Sequence, residues 1–489
     1  MKPKVLFINL PYVVKNIDAT RPKIRSFFAF PYGLLSIATY CKDLADIRVC
    51  DYGNQERDAA IELLKVELEE YPPDIVGFSM GYDNSYGCLE DLAGIVKDFD
   101  PNILVVLGGS AASYSYEEII EEQEDIDWIC FGEGEIPFYN ILEAYDPELM
   151  RYSWVSKQSI EWKRKPSGTF IQNLDEVIDI DYSLINAEDY DMQEAFSPFV
   201  VHKKQRQFFL MTSRGCPFQC AFCSNATIHG KKVRAASVLK IIEHVRRLID
   251  DYGLEVLTIY DDQMLIDMPR AKQIFFELAQ FNIRIEAPNG FSVRYIDDEM
   301  AMLMSAAGMD TVYLAIESGC EYVLKYLIKK PLKLSQVSPA VEHLRRYGFF
   351  IHGFFVMGMP GETQDMREET YRFIKDTDLD WAGLNMATPV RGSQLYKDCI
   401  KYGWIEKQKI SDIVDKKYII KWGAESPEEI EADVYKANLD INFHHNRRMR
   451  IGDYQTAARC FEEVLRRYPG HKEARQYLRK CDDLEKGIK

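Results

Sequence analysis

The sequence predicts an α/β chain built from two successive βα series and closed by a helical tail. Three observations carry this. Over the first 145 or so of 489 residues, short β-branched apolar runs alternate with helical stretches. The alternation resumes at Phe208 and continues for six further units, to about Trp404. From about Pro427 onward strand-like runs cease. Strands separated by helices imply parallel sheets with right-handed crossovers.

In the first series the strands are expected at Val5–Leu10, Ile47–Cys50, Ile75–Ser79, Ile103–Leu107 and Trp128–Phe131, with helices such as Leu34–Leu44 and Asp58–Leu68 between them. This is a doubly wound, Rossmann-like pattern. Glycines and small polar residues gather just past the strand ends, at Asn9, Asp51-Tyr52-Gly53, Ser79-Met80-Gly81, Gly108-Gly109-Ser110 and Gly132-Glu133-Gly134-Glu135. Open parallel sheets bind ligands at those carboxyl ends, where backbone must approach closely. Asn9, Ser79, Gly108, Gly109, Gly132 and Glu133 are therefore candidate cofactor contacts. Each turn alone is ordinary punctuation, and the set of five is the stronger signal.

Residues 146–205 lack periodicity and read as a connector, a long surface crossover. Over 206–404 the strands are expected at Phe208–Thr212, Val256–Tyr260, Arg284–Pro288, Thr311–Ile316, Phe350–Met357 and Gly383–Ala387. The helix Val238–Ile249 is the clearest, with Val238, Ile241, Ile242, Val245, Leu248 and Ile249 on one face. Barrels of this kind build their active sites at the carboxyl ends of the strands. Residues 405–489 form a helical region.

The chemistry concentrates in Cys216-Pro217-Phe218-Gln219-Cys220-Ala221-Phe222-Cys223, a loop directly after the strand Phe208–Thr212. Three thiolates at CxxxCxxC spacing can hold three corners of a [4Fe–4S] cluster and leave the fourth iron open. A structural zinc site is the alternative, but zinc usually brings CxxC pairs and a fourth ligand, and no second pair occurs here. The spacing, its place after a barrel strand and the aromatic Phe222 before the third cysteine resemble the radical S-adenosylmethionine (SAM) superfamily. The resemblance implies a partial (β/α)6 barrel and SAM bound at the open iron. The first 145 residues, with their GG and GEGE elements, resemble the cobalamin-binding domain that precedes many such barrels. No His occurs before His202, so this domain cannot supply the cobalt-ligating His of the mutases. Cobalamin-dependent radical SAM methylases also lack that motif, although a domain that has lost its cofactor would look the same.

The family places SAM contacts on successive strand ends. By that resemblance Asp261 and Asp262 would take the SAM ammonium group, and Ser292 and Arg294, after Asn289-Gly290, its carboxylate or ribose. Glu317 in Glu317-Ser318-Gly319 would be a further contact, and Gly358 and Gly361 would admit the adenine. Electron transfer would then cleave SAM to methionine and a 5′-deoxyadenosyl radical, which abstracts hydrogen from an unactivated carbon. Methylcobalamin across the gap would deliver the methyl group, at carbon or phosphorus, and a second SAM would restore it. The competing enzyme reading keeps both cofactors but performs cyclisation or oxidoreduction. A reading from another class is a cobalamin-type sensor or interaction protein.

Near the end, Gly452-Asp453-Tyr454, Ala457-Ala458, Phe461 and Pro469 resemble one tetratricopeptide unit. A lone unit cannot bury its own face, so it should cap the barrel or dock a protein partner. The net charge of −17 argues against non-specific nucleic-acid binding. Eleven cysteines without a secretory leader point to a reducing, cytoplasmic setting. The longest apolar runs fall short of the ~18 residues a membrane span needs. A small-molecule, lipid or peptide substrate and an external flavodoxin- or ferredoxin-type electron donor are the expected partners. Cys320, after Gly319, is either a small buried hydrophobe or a redox group.

Overall fold

The computed structural model describes residues 2–12, 30–144, 152–190, 206–407, 410 and 418–487. His202 and parts of the expected connector and tail lie outside them. The first sheet has six strands in the order β2-β1-β3-β4-β5-β6. They are β1 (Lys4–Asn9), β2 (Asp46–Asp51), β3 (Ile75–Ser79), β4 (Leu104–Gly108), β5 (Trp128–Cys130) and β6 (Trp154–Val155). β1 to β5 run parallel, and β1 and β3 are nearly continuous apolar runs because helices cover both faces. The antiparallel edge strand β6 was not expected, being two residues long. Register aligns the carboxyl ends: Asn9 pairs with Asp51 and with Ser79, and Ser79 with Gly108. The chain leaves β1 to either side at this edge, and the crevice between β1 and β3 is the switch point where such sheets bind ligands.

The second series supplies β7 (Gln207–Leu210), the short pair β8 (Ser213–Arg214) and β9 (Arg234–Ala235), then β10 (Val256–Ile259), β11 (Arg284–Glu286), β12 (Thr311–Glu317), β13 (Phe350–Met357) and β14 (Trp381–Met386). Two parallel triplets, β11-β10-β7 and β12-β13-β14, are joined by a bridge between Phe291 and Leu314. The result is an open, six-stranded half-turned barrel, as the periodicity predicts. The helix Val238–Tyr252 runs three residues past its expected end. Ser237 caps its start by accepting from Lys240 N, and Gly253, in the left-handed region, ends it.

The expected surface crossover is corrected. Leu174, Ile178, Ile180 and Tyr182 of the connector are buried in the barrel's core cluster. Tyr182 donates its hydroxyl to Phe209 O at 3.2 Å, tying the connector to β7. In the tail, the helix Pro427–Leu439 starts at a Ser426/Glu429 capping box. The helices Tyr454–Arg467 and Lys472–Glu485 follow. They share an apolar cluster with Phe350 and Trp381, at the starts of β13 and β14. Asn442 pairs its amide with both backbone groups of Ala382 on β14, at 2.8 and 2.9 Å. No helix among the described residues is long and apolar enough to cross a membrane.

Candidate functional site

Two cavities meet where the carboxyl edges of the sheet and the barrel face each other. The first, of about 600 Å³, is walled by Phe7, Phe78, Ser79, Gly108, Gly109 and Gly132 from the sheet side and by Met211, Ile228 and His229 from the barrel. The second, of about 840 Å³, lies in the barrel among Asp262, Asn289, Tyr313, Phe354 and Asn385. Tyr32, Tyr82, Met211, Asn225, His229 and Tyr260 line both, so the two form one continuous space.

The sheet side has the features of a cradle for a large planar group. Gly109 sits at φ +104°, and a Cβ there would come within 2.5 Å of Met80 O, so glycine is required. A Cβ on Gly33, which lines the same cavity, would meet open space. Aromatic walls and small residues at the strand ends suit the corrin of cobalamin.

The cysteine loop is pinned on every side. β8 and β9 bracket it, Gly215 N donates to Asp262 Oδ2 at 2.8 Å, and Cys216 N donates to Gly230 O. Cys223 N closes a turn on Cys220 O, while Ala221 bonds Ile328 O and receives Leu395 N. Cys216 and Cys220 are half-buried and Cys223 exposed. Burial raises all three thiols, Cys220 to about 12, against the opposing pull of Lys330. Among the described residues no three His, Cys, Asp or Glu side chains converge on a point suited to a single ion. Three thiols at CxxxCxxC spacing on one ordered loop are the donor set that a [4Fe–4S] cubane takes.

Beside the loop stands Glu317 at φ +73°, a left-handed conformation rare for a side chain with a Cβ. It receives Lys330 Nζ at 3.1 Å in a buried pair. Lys330 follows a π-helical turn, Val323–Ile328, that ends at Lys329 with φ +62°. Burial pulls Lys330 down, but the carboxylate of Glu317 leaves it raised. Charges of both signs are thus set a short way from the thiols, as the zwitterionic end of SAM requires.

Several expected contacts are engaged by other groups of the protein. Asp261 was assigned to the SAM ammonium. Its carboxylate instead accepts from Thr212 N and Oγ1 at 2.5 Å and from Ser213 Oγ at 2.6 Å, fixing the end of β7. Asn9 donates to Asp51 Oδ1 at 2.8 Å and does not line the cavity. Gly358 and Gly361, both at positive φ, pack on Tyr418 and Leu327. Tyr418 also donates to Gly358 O at 2.6 Å. Ser292 is buried, and Arg294 is exposed with its guanidinium 3.5 Å from Pro331 O. None of these four lines either cavity, and neither do Glu317, Lys330 or the three loop cysteines, so the linings do not separate them. Cys320 is buried and outside both.

Glu133 is placed at the cavity wall, but in a different role. Its buried carboxylate takes Arg234 at 2.7 and 2.8 Å, His229 Nδ1 at 3.1 Å, Ile171 N at 3.2 Å and Arg214 at 3.7 Å. Glu135 takes Arg214 at 2.8 Å. Burial alone would raise the carboxyl of Glu133; the bonds from Arg234 and His229 and the charge of Arg214 hold it at about 2. This cluster latches the first domain onto the barrel. His229, set aside in sequence as a scattered histidine, lines both cavities. Lys330 was also passed over, and only its pairing with Glu317 in the fold marks it; Asn225, two residues past Cys223, lines both cavities.

Comparison with known proteins agrees with this arrangement. Residues 210–374 match the Radical SAM superfamily, and residues 25–142 match the B12 binding domain. The chain is 31% identical over 373 residues to an uncharacterised methyltransferase of Pyrococcus horikoshii, covering 76% of this chain and 78% of that one. It is 29% identical over 422 residues to the cytidylyl-2-hydroxyethylphosphonate methyltransferase of Streptomyces wedmorensis, covering 79% and 78%. Its fold resembles the radical S-adenosylmethionine methyltransferase TsrM of Kitasatospora setae, solved with cobalamin and a [4Fe–4S] cluster. That match has a TM-score of 0.69 at 14% identity and covers 99% of this chain and 100% of that one.

Proposed function

The chain belongs to the radical SAM superfamily and carries a B12 binding domain ahead of its barrel, and on that premise we propose that it is a cobalamin-dependent methyltransferase. The acceptor is an unactivated carbon, or a phosphorus, of a small molecule, lipid or peptide. One observation carries the reading: the sheet-edge cavity and the barrel cavity share six lining residues, among them Met211 and Asn225, which stand on either side of the cysteine loop. When bound, the cluster supplies the electron that fragments SAM, and cobalamin supplies the methyl group.

Cys216, Cys220 and Cys223 hold the cluster and are the catalytic residues. Glu317 and Lys330 receive the charged end of SAM, with Asp262 and Asn289 on the barrel side. Ser79, Gly108, Gly109 and Gly132 cradle cobalamin. Glu133, Arg214 and Arg234 position the two halves, and Asp261 positions the cysteine loop. Tyr32 is half-buried at the junction, and desolvation pushes its hydroxyl up to about 12, so it stays protonated. The apolar residues Met211, Phe209 and Phe354 exclude water from a space where a carbon radical would otherwise be quenched. An external flavodoxin- or ferredoxin-type donor supplies the electron. The working domains run 1–145, 206–404 and 405–489.

The test is anaerobic reconstitution with iron, sulfide and cobalamin, followed by SAM and reductant. The reading requires a brown cluster chromophore, a cobalamin spectrum and 5′-deoxyadenosine, with S-adenosylhomocysteine alongside it once the acceptor is present. 5′-Deoxyadenosine without S-adenosylhomocysteine in the presence of the turned-over acceptor would refute methyl transfer.

A further inference from the structure

The C-terminal helices are fixed to the barrel, which settles where their last side chains go. Phe443 packs on Trp381 with ring centroids 5.8 Å apart and stacks on Phe461 at 5.3 Å. The side chain of Asp380, fully buried, takes Arg345 at 2.6 Å and Arg447 at 3.3 Å, and also Arg448. With the Asn442–Ala382 amide pair, these contacts hold the helix Tyr454–Arg467 against the starts of β13 and β14. Its last residue, Arg467, lines the barrel cavity with Asn289, Tyr313, Phe354 and Asn385.

At that end Arg467 is tethered through one nitrogen. Glu463 is buried and accepts from Arg466 at 2.8 and 2.9 Å and from Arg467 Nε at 2.8 Å. The bond to Glu463 uses Nε, and among the described residues the Nη pair of Arg467 makes no hydrogen bond, which leaves the fork that matches a carboxylate or phosphate available. Among the described residues lining this cavity, Arg467 is the one that is always cationic. Tyr313 and Phe354 stack at 5.5 Å and 13° and offer a flat apolar wall. A cation also suits the end of a helix through its dipole, but that accounts for the residue type and not for its place in the cavity.

We propose that Arg467 is a specificity-determining residue that binds an anionic group, a carboxylate or phosphate-type oxyanion, on the methyl-accepting substrate, whose apolar body lies on the Tyr313–Phe354 wall. The tail is then a wall of the substrate site. The proposal rests on the barrel cavity being the catalytic one.

SAM carries a carboxylate too, and the experiment separates the two sources. Holoenzyme loaded with cluster and cobalamin is dialysed to equilibrium against naphthalene-1-carboxylate, against its uncharged carboxamide, and against SAM. Wild type should prefer the carboxylate by roughly tenfold or more, R467Q should lose that preference, R467K should keep part of it, and SAM affinity should stay within about twofold. Equal wild-type affinity for the two probes overturns the proposal, as does a preference that survives in R467Q. Loss of SAM binding in R467Q overturns it as well, by giving the contact to SAM. The wild-type comparison needs no variant, and Arg467 is 31% exposed, so its removal opens no core. Failure of the catalytic reading would show separately, as no 5′-deoxyadenosine from wild type.

Discussion

Replacing Glu133 with Gln removes one charge from a buried cluster and leaves its shape almost unchanged. The carboxyl sits at about 2 in place of its ordinary 4.5. That difference corresponds to about 3 kcal/mol of stability for the ionised form. The side chain is 2% exposed, so solvent screens little of this. An independent route gives the same scale: breaking a buried ion pair costs ~3–5 kcal/mol, because the partner is left uncompensated. Arg234 makes two bonds to this one carboxylate and is the partner stranded. E133Q should therefore lose about 3 kcal/mol in anaerobic chemical denaturation followed by circular dichroism at pH 7. The sign with pH is fixed. A lowered carboxyl contributes fully above its unfolded value near 4.5, and the contribution fades as pH falls toward about 2. The gap between wild type and E133Q should narrow over that window. A variant within about 1 kcal/mol of wild type at pH 7, or a gap that does not narrow, would refute the latch.

Other outcomes follow from the same geometry. Changing Cys216, Cys220 or Cys223 singly to Ala should remove the brown chromophore and bring 5′-deoxyadenosine to background, with cobalamin content unchanged. K330M leaves Glu317 buried without its cation and should weaken SAM binding by roughly tenfold or more in equilibrium dialysis, since a charge-assisted bond is worth about 1.5–3 kcal/mol; E317Q should do the same. G109A drives a Cβ to 2.5 Å from Met80 O at a positive φ. It should cost roughly 1–3 kcal/mol and lower the cobalamin bound per chain by visible spectrum, with the cluster intact.

Local signals were legible and long-range ones were not. β3 and β13 lie where their apolar runs begin and end, because a strand covered on both faces must be apolar throughout. The cysteine spacing is likewise a property of eight consecutive residues. Glu133 illustrates the opposite case. Its position after a strand made it a ligand candidate, yet its partner Arg234 is 101 residues away, and nothing in the sequence links them. Asp261 and Asp262 are adjacent and look interchangeable. One is consumed by Thr212 and Ser213, while the other lines the cavity. Both lie past the end of β10, so which carboxylate faces inward is set by the path of the loop and by its long-range partners, not by strand alternation. Arg467 was invisible because it comes from a tail whose docking site is made of residues more than 80 positions earlier, Trp381 among them.

A barrel that stops at six strands has two raw flanks, β7 and β14. Unpaired peptide groups in such a position recruit strands from neighbouring molecules. The carboxamide of Asn442 imitates one peptide unit of a missing seventh strand, giving and accepting a bond at Ala382. A single side chain thereby blunts self-association at this point without closing the ring, and the opening stays wide enough for the tail to form part of the chamber.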